Sequence, residues 1–294
     1  MSLKRVSGVA GQDHLASAAD AQAKKRACKP RRRRRLTVTT RLWRSVVKLL
    51  RKRWSPEQIS ACLKQRHPDQ PERWVSHETI YTSLYIMPRG ELRKELIGHL
   101  RQHHKSRRPR SRGTDRRGQI PNMVRIAERP AEVEKRLVPG HWEGDLIKGA
   151  GNASSVGTLV ERHSRLVMLV RVENASTIEV CKGFARKFGR LPEVMRKTMT
   201  YDRGKEMTDH EQLSKKLKML IYFADPHSPW QRGSNENTNG LLRQYLPKGT
   251  DLSTFTQHEL NAIANSLNTR PRKTLNWQTP IESYQRAERV ALGV

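Results

Sequence analysis

Apolar residues recur along this chain in a helical rhythm first and an alternating one later, with stretches of no rhythm before and between. Over residues 36–90 the rhythm is helical. Leu42, Val46, Leu49 and Leu50 fall at three- to four-residue spacing, and Trp54 closes the segment. Ser55-Pro56-Glu57-Gln58 then combines an N-cap, a proline at the first helical position and a reciprocal third residue. A second helix therefore starts there, with Ile59 and Leu63 on one face. Ser76 caps a third, in which Ile80 and Leu84 point inward while His77, Thr79, Thr82 and Ser83 lie elsewhere. Three short helices, the last polar on its outer side, predict a helix-turn-helix domain over residues 36–95. Its last helix would enter a DNA major groove by its first residues, which makes His77, Thr79 and Thr82 candidate base contacts. A small helical domain without groove contacts is the plainer reading of the same pattern.

From about residue 120 the period shortens. Gly140–Ile147 reads as a strand and Gly149–Asn152 as a turn. Val156–Glu161 and Leu166–Val172 are two more strands, joined by the polar turn Arg162-His163-Ser164-Arg165 as a hairpin. A helix over Thr177–Phe188 carries Ile178, Cys181 and Phe184 at helical spacing. Then come a short strand Lys197–Tyr201, a helix Asp209–Leu217 and a strand Met219–Ala224. A helix from Ser234 or Asn235 through Tyr245 to Pro247 follows, and Gln257–Asn268 and Pro280–Val290 close the chain as helices. Three consecutive strands followed by alternating helices and strands predict an α/β mixed sheet flanked by helices over residues 121–294.

Charge adds a partner to that outline. The 294 residues hold 58 Lys+Arg against 28 Asp+Glu, a net charge of +30. Residues 1–118 carry 31 basic and 9 acidic residues (+22), which leaves +8 for the remainder. Such a balance points to nucleic acid and away from a small-molecule substrate. Residues 1–35, with the run Arg31-Arg32-Arg33-Arg34-Arg35, read as a basic, disordered arm; a nuclear address is the alternative for such a run. Residues 96–120 read as a basic linker in which Arg107 and Arg108 are candidate phosphate contacts. No run of 18 apolar residues exists, so a membrane span is not expected. Three scattered cysteines, Cys28, Cys62 and Cys181, rule out a disulfide framework or a zinc ribbon and suggest a reducing compartment.

The candidate chemistry comes from where acids fall on the outline. Asp145 lies in the first strand, Asp202 at the end of the fourth and Glu236 in the first turn of a helix. Carboxylates from separate elements that converge can hold hard cations, and a pair of such ions can activate an attacking oxygen and stabilise a leaving one on a phosphodiester. Spacing alone leaves rivals: Glu143 shares a strand face with Asp145, and Asp225 lies between Asp202 and Glu236.

Three strings are more specific. They are Gly140-His141-Trp142-Glu143-Gly144-Asp145-Leu146-Ile147, Tyr201-Asp202-Arg203-Gly204-Lys205-Glu206 and Ser228-Pro229-Trp230-Gln231-Arg232-Gly233-Ser234-Asn235-Glu236-Asn237. With Trp54–Ile59, Val75–Tyr81 and Asn268–Lys273, they resemble bacterial insertion-sequence transposases of the family numbered thirty, over roughly residues 40–290. The resemblance implies a ribonuclease-H-like, retroviral-integrase-like catalytic domain and an Asp-Asp-Glu triad. The triad maps onto Asp145, Asp202 and Glu236, with 33 residues between the last two, and leaves Glu143 and Asp225 as non-ligands. By analogy Asp145 would bridge two Mg²⁺ (or Mn²⁺) ions, while Asp202 and Glu236 would each complete one site.

Around the triad, Gly204 is read as permitting a tight turn after Asp202. Glu236, Gly240 and Arg243 share a helix face, so Arg243 could hold a DNA phosphate. Asn237 and Asn239 flank Glu236 as positioning or DNA-contacting residues. Trp142 and Trp230 are expected to pack, and His141 and His227 to be structural.

The resemblance implies metal-dependent cleavage at terminal inverted repeats, then attack of the freed 3′-hydroxyl on target DNA, in the bacterial cytoplasm at the nucleoid. Double-stranded DNA would be the partner, and a homodimer or higher oligomer the working form. A DNA-binding regulator or truncated remnant that occupies the ends without chemistry is the alternative, because relatives usually carry a further helix-turn-helix before the one read here.

Overall fold

The structure, a computed structural model, describes residues 36–100, 120–173, 176–225 and 228–293. The expected basic arm, most of the linker with Arg107 and Arg108, and His227 lie outside the described residues.

The front unit has four helices: α1 (Arg41–Arg51), α2 (Pro56–Arg66), α3 (His77–Ile86) and α4 (Glu91–Gly98). Thr40, Ser55 and Ser76 cap the first three through their hydroxyls, and Ser55 forms the expected reciprocal box with Gln58. Each such cap contributes about 1 kcal/mol. Trp43, Val46, Leu50, Ile59, Leu63, Ile80 and Leu84 meet in one core, as the helical spacing requires. The fourth helix has no counterpart in the sequence reading. Its Leu96, with Leu100 beyond it, is buried in the same core and carries the unit past the expected boundary at 95.

The back unit is built on a five-stranded sheet of order β3-β2-β1-β4-β5. Its strands are β1 (His141–Lys148), β2 (Ser155–Glu161), β3 (Val167–Val172), β4 (Thr198–Tyr201) and β5 (Leu220–Phe223). The first three form an antiparallel meander, and β4 and β5 join β1 in parallel. This mixed topology with helices on both faces is the ribonuclease-H-like fold.

Alternation along each strand assigns the faces. Trp142 and Leu146 of β1, Leu159 of β2 and Met199 and Tyr201 of β4 point to the face covered by α5 (Thr177–Phe188) and α6 (His210–Leu217). The buried stripe of α5 is Val180, Phe184 and Phe188. Ile178, expected inward, is instead 58% exposed, because the stripe starts two residues later. Gly157 of β2 leaves room for the ring of Phe184, which a Cβ there would meet at 2.6 Å.

The opposite face carries Glu143, Asp145 and Ile147 of β1 and is covered by α7 (Gly233–Leu242) and α8 (Gln257–Asn268). The helix expected to run to Pro247 ends at Leu242, where Arg243 closes it. A last helix, α9 (Pro280–Leu292), starts from a Thr279–Glu282 box and sends Tyr284 into the core between the sheet, α5 and α6.

The open edge of β3 is covered by amide side chains of α8. Asn268 accepts from Val167 N at 2.8 Å and donates to Val167 O at 2.9 Å. Gln257 accepts from Arg171 N at 2.9 Å and donates to Leu169 O at 2.9 Å. These bonds occupy ladder groups that would otherwise invite another strand.

The two units touch through α2. Gln58 Nε2 donates to Pro271 O at 3.0 Å, Glu57 pairs with Lys273 at 2.8 Å, and Arg53 lies 4.5 Å over the ring of Tyr245.

Candidate active site

The register of β1 and β4 brings the first two acids together. His141, Trp142 and Glu143 pair with Thr198, Met199 and Thr200. Two residues on, the same register sets Asp145 beside Asp202, on the face that α7 covers. Both carboxylates are 24% exposed: Asp145 lies within β1, and Asp202 just past the carboxyl end of β4. Open α/β sheets place ligand sites beyond such strand ends.

Asp145 Oδ1 accepts from its neighbour Leu146 N at 2.9 Å and Oδ2 from Asn239 Nδ2 at 2.8 Å. Asp202 Oδ1 accepts from Gly204 N at 3.1 Å. Arg232 lies between the two acids, with Nη1 3.6 Å from Asp145 Oδ1 and Nη2 3.8 Å from Asp202 Oδ2. Burial pushes the Asp145 carboxyl above the usual carboxylate range; Arg232 opposes this and the Asp202 charge adds to it.

Glu236 stands exposed in the first turn of α7. Among the described residues, no three His, Cys, Asp or Glu side chains gather closely enough to hold a metal ion together. The structure therefore unites Asp145 with Asp202 and leaves Glu236 at the rim, on a helix that is itself anchored to the same strand.

Glu143 supplies that anchor. Its side chain is fully buried, pairs with Arg162 and accepts from Asn235 N at 2.7 Å, so the amino end of α7 is pinned to β1 by a carboxylate. A negative charge at a helix amino terminus is favourable in itself. Thr158 Oγ1 adds a bond to Asn235 Oδ1 at 3.1 Å, and Arg165 bonds Ser234 from the hairpin turn. Asp225, the other rival, is equally committed. It receives Arg203 Nη2 at 3.3 Å and Gln231 Nε2 at 3.1 Å, while its own N–H donates to Gln231 Oε1 at 2.7 Å. That reciprocal pair holds the 3₁₀ turn Pro229–Arg232 in front of α7 and aims Arg232.

Other expectations fare unevenly. Trp142 packs, edge-on to Phe188 with centroids 5.3 Å apart. Trp230 does not: it is 71% exposed on the 3₁₀ turn that carries Arg232. Gly204 has φ −72°, so no left-handed turn requires glycine there; its contribution is the amide that meets Asp202. His141 is buried and structural, with Nδ1 2.9 Å from Thr198 Oγ1 and Nε2 3.5 Å from Glu132. Burial lowers its pKa to about 4.

Arg243 spends two donors on backbone carbonyls, Lys148 O at 3.1 Å and Leu246 O at 3.3 Å. Asn237 is exposed beside Glu236. In the front unit His77 is exposed, 3.3 Å from Glu78, while Thr79 and Thr82 line a groove of about 460 Å³ with Leu36, Trp43 and Ile86. Arg232, Arg162 and Asn235 are the residues that sequence reasoning missed. Their signal was only that Arg232 and Asn235 lie inside the third string.

A ribonuclease-H-like sheet with one aspartate on β1 and another just past β4, joined to a unit of short helices, defines an integrase-type catalytic protein. Residues 136–229 match the family described as Integrase core domain. The chain is 61% identical over 241 residues to the transposase for insertion sequence element IS1086 of Cupriavidus metallidurans, covering 82% of this chain and 71% of that protein. It is 44% identical over 247 residues to the transposase InsI for insertion sequence element IS30A of Escherichia coli, covering 82% of this chain and 63% of that one. The catalytic core domain of BIV integrase superposes with a TM-score of 0.40 at 21% identity, over 51% of this chain and 97% of that one. The chain belongs to the IS30 family of insertion-sequence transposases.

Proposed function

We propose that this transposase cleaves DNA at the terminal inverted repeats of an insertion sequence and joins the freed 3′ end to target DNA, using Asp145, Asp202 and Glu236 to hold divalent cations. The observation that carries this reading is the β1–β4 register, which sets two carboxylates side by side with one arginine spanning them. Oxygen-only donors of this kind suit Mg²⁺ or Mn²⁺. When bound, such ions supply an activated water and stabilise the leaving oxygen of the phosphodiester.

The chain's own residues orient and confine. Asn239 fixes one oxygen of Asp145, and Leu146 N fixes the other, so the carboxylate plane is set before any ligand arrives. Gly204 N does the same for Asp202. The Glu143 anchor holds the first turn of α7, which carries Glu236, against the strand that carries Asp145. A modest rotation of the Glu236 side chain from its exposed position would complete the donor set.

DNA would run along the same rim. Asn237 and the remaining donors of Arg243 would meet its phosphates, and the exposed ring of Trp230 offers a stacking surface for a base beside the cleavage point. His77, Thr79 and Thr82 of the front unit, with Arg107 and Arg108, would hold the repeat end. Acting on paired ends requires at least two copies of the chain on DNA.

Asp145→Asn tests the assignment in a strand-transfer assay on a labelled repeat-end duplex with Mg²⁺. The proposal expects no joined product from a protein that still shifts the duplex in a gel. Undiminished joining would sink it.

A further inference from the structure

Arg232 stands where the proposed cations would have to enter. Its guanidinium lies 3.6 Å from Asp145 and 3.8 Å from Asp202, and Nη1 also donates to Gly144 O at 3.3 Å. Two carboxylates side by side repel one another, and the guanidinium is a cation that spans and offsets them. A Mg²⁺ ion needs oxygen ligands at about 2.0–2.1 Å. Its approach to both aspartates is opposed while a positive group spans them, because the ion and the guanidinium repel each other and compete for the same two partners.

Geometry also gives Arg232 a way out. It belongs to the short turn Pro229–Arg232 and precedes the first turn of α7, so its side chain can swing by giving up the bond to Gly144 O while the backbone of β1 and β4 stays in place. It sits four residues before Glu236. Guanidinium forms bidentate pairs with phosphate as readily as with carboxylate.

We propose that Arg232 is an internal counter-ion: it holds Asp145 and Asp202 together in the cation-free protein, competes with divalent cations for them, and transfers to a DNA phosphate so that the cations can enter. This rests on the carboxylate site proposed above. Arg232 is thus a positioning residue. It makes cation loading depend on DNA, which leaves the free protein poorly loaded and keeps it from nicking at random.

The test is a Mn²⁺ titration followed by electron paramagnetic resonance on the full chain without DNA. Arg232→Gln is expected to tighten Mn²⁺ binding by roughly tenfold or more, since a unit charge about 4 Å from the site is removed. Its melting temperature should fall without Mn²⁺ and recover more than the wild type's when Mn²⁺ is added. Arg232→Lys keeps the charge and should stay near the wild-type affinity.

Unchanged or weaker Mn²⁺ binding in Arg232→Gln would overturn the proposal. Should that variant fail to fold, excess dimethyl phosphate added to the wild type replaces it. The diester draws off the guanidinium and should raise Mn²⁺ affinity; no rise overturns the proposal. Asp145→Asn separates the two readings. If it abolishes Mn²⁺ binding while Arg232→Gln changes nothing, the counter-ion role alone falls. If it leaves binding intact, the carboxylate site falls as well.

Discussion

Glu143 and Asp145 lie on one strand and one face, two residues apart, in opposite circumstances. Glu143 is fully buried, with Arg162 and the Asn235 amide committed to it. Asp145 is at the rim, beside a second carboxylate, and a single flexible arginine spans both. The first acid is satisfied for good by groups that belong to the fold. The second is satisfied provisionally, by a group that can be exchanged. Burial of a charge with complete partners makes a structural anchor, whereas two acids side by side that share a movable cation make a binding site.

Substitutions can break this contrast. Glu143→Ala leaves Arg162 charged and buried without its carboxylate and frees the amino end of α7. We expect a loss of about 3–5 kcal/mol, read by chemical denaturation. Asp145→Asn should act the other way round. Strand transfer should fall by roughly a thousandfold or more, about 4 kcal/mol of transition-state stabilisation, while the melting temperature at neutral pH stays level or rises. The sign follows from linkage. The folded state holds the Asp145 proton more tightly than the unfolded chain does, so above the ordinary carboxylate range the charge costs stability, and an amide removes that cost.

His141 sharpens the contrast, because it is a buried titratable group at the start of the same strand. Its pKa is lowered from 6.5 to about 4, chiefly by burial. The unfolded chain takes up a proton below about 6.5 that the folded imidazole refuses until about 4. Stability should therefore drop as pH falls through that window, by up to about 3 kcal/mol, in thermal melts between pH 7 and pH 4. His141→Gln should flatten the curve there. The smallest effect is expected at Trp230, which touches DNA in this account and no core. Trp230→Ala should lower affinity for a repeat-end duplex by about 1–3 kcal/mol in a binding titration and leave the melting temperature unchanged.

Much of this was legible in the chain. All five strands and the caps at Ser55, Ser76 and Thr279 follow local rules, and local rules survive folding. Alternation placed Glu143 and Asp145 on the same face, but it could not say which of them would be paired. The partners that decide it, Arg162 and Asn235, lie 19 and 92 residues away. The role of Arg232 was hidden for a similar reason, since it depends on the β1–β4 register and on the Asp225–Gln231 pair that aims it. Tryptophan usually packs, whereas Trp230 stands 71% exposed, which depends on the tertiary placement of its turn. The helix α4 carries too few apolar positions, Leu92, Leu96 and Ile97, to mark a period.

One paired measurement bears most directly on the central claim that two acids of one strand divide anchoring from chemistry. Glu143→Gln and Asp145→Asn are carried side by side through thermal melting and through strand transfer normalised to folded protein. The account predicts that Glu143→Gln melts earlier yet still joins ends, while Asp145→Asn melts no earlier than the wild type and joins none. Joining by folded Asp145→Asn at the wild-type rate would contradict it.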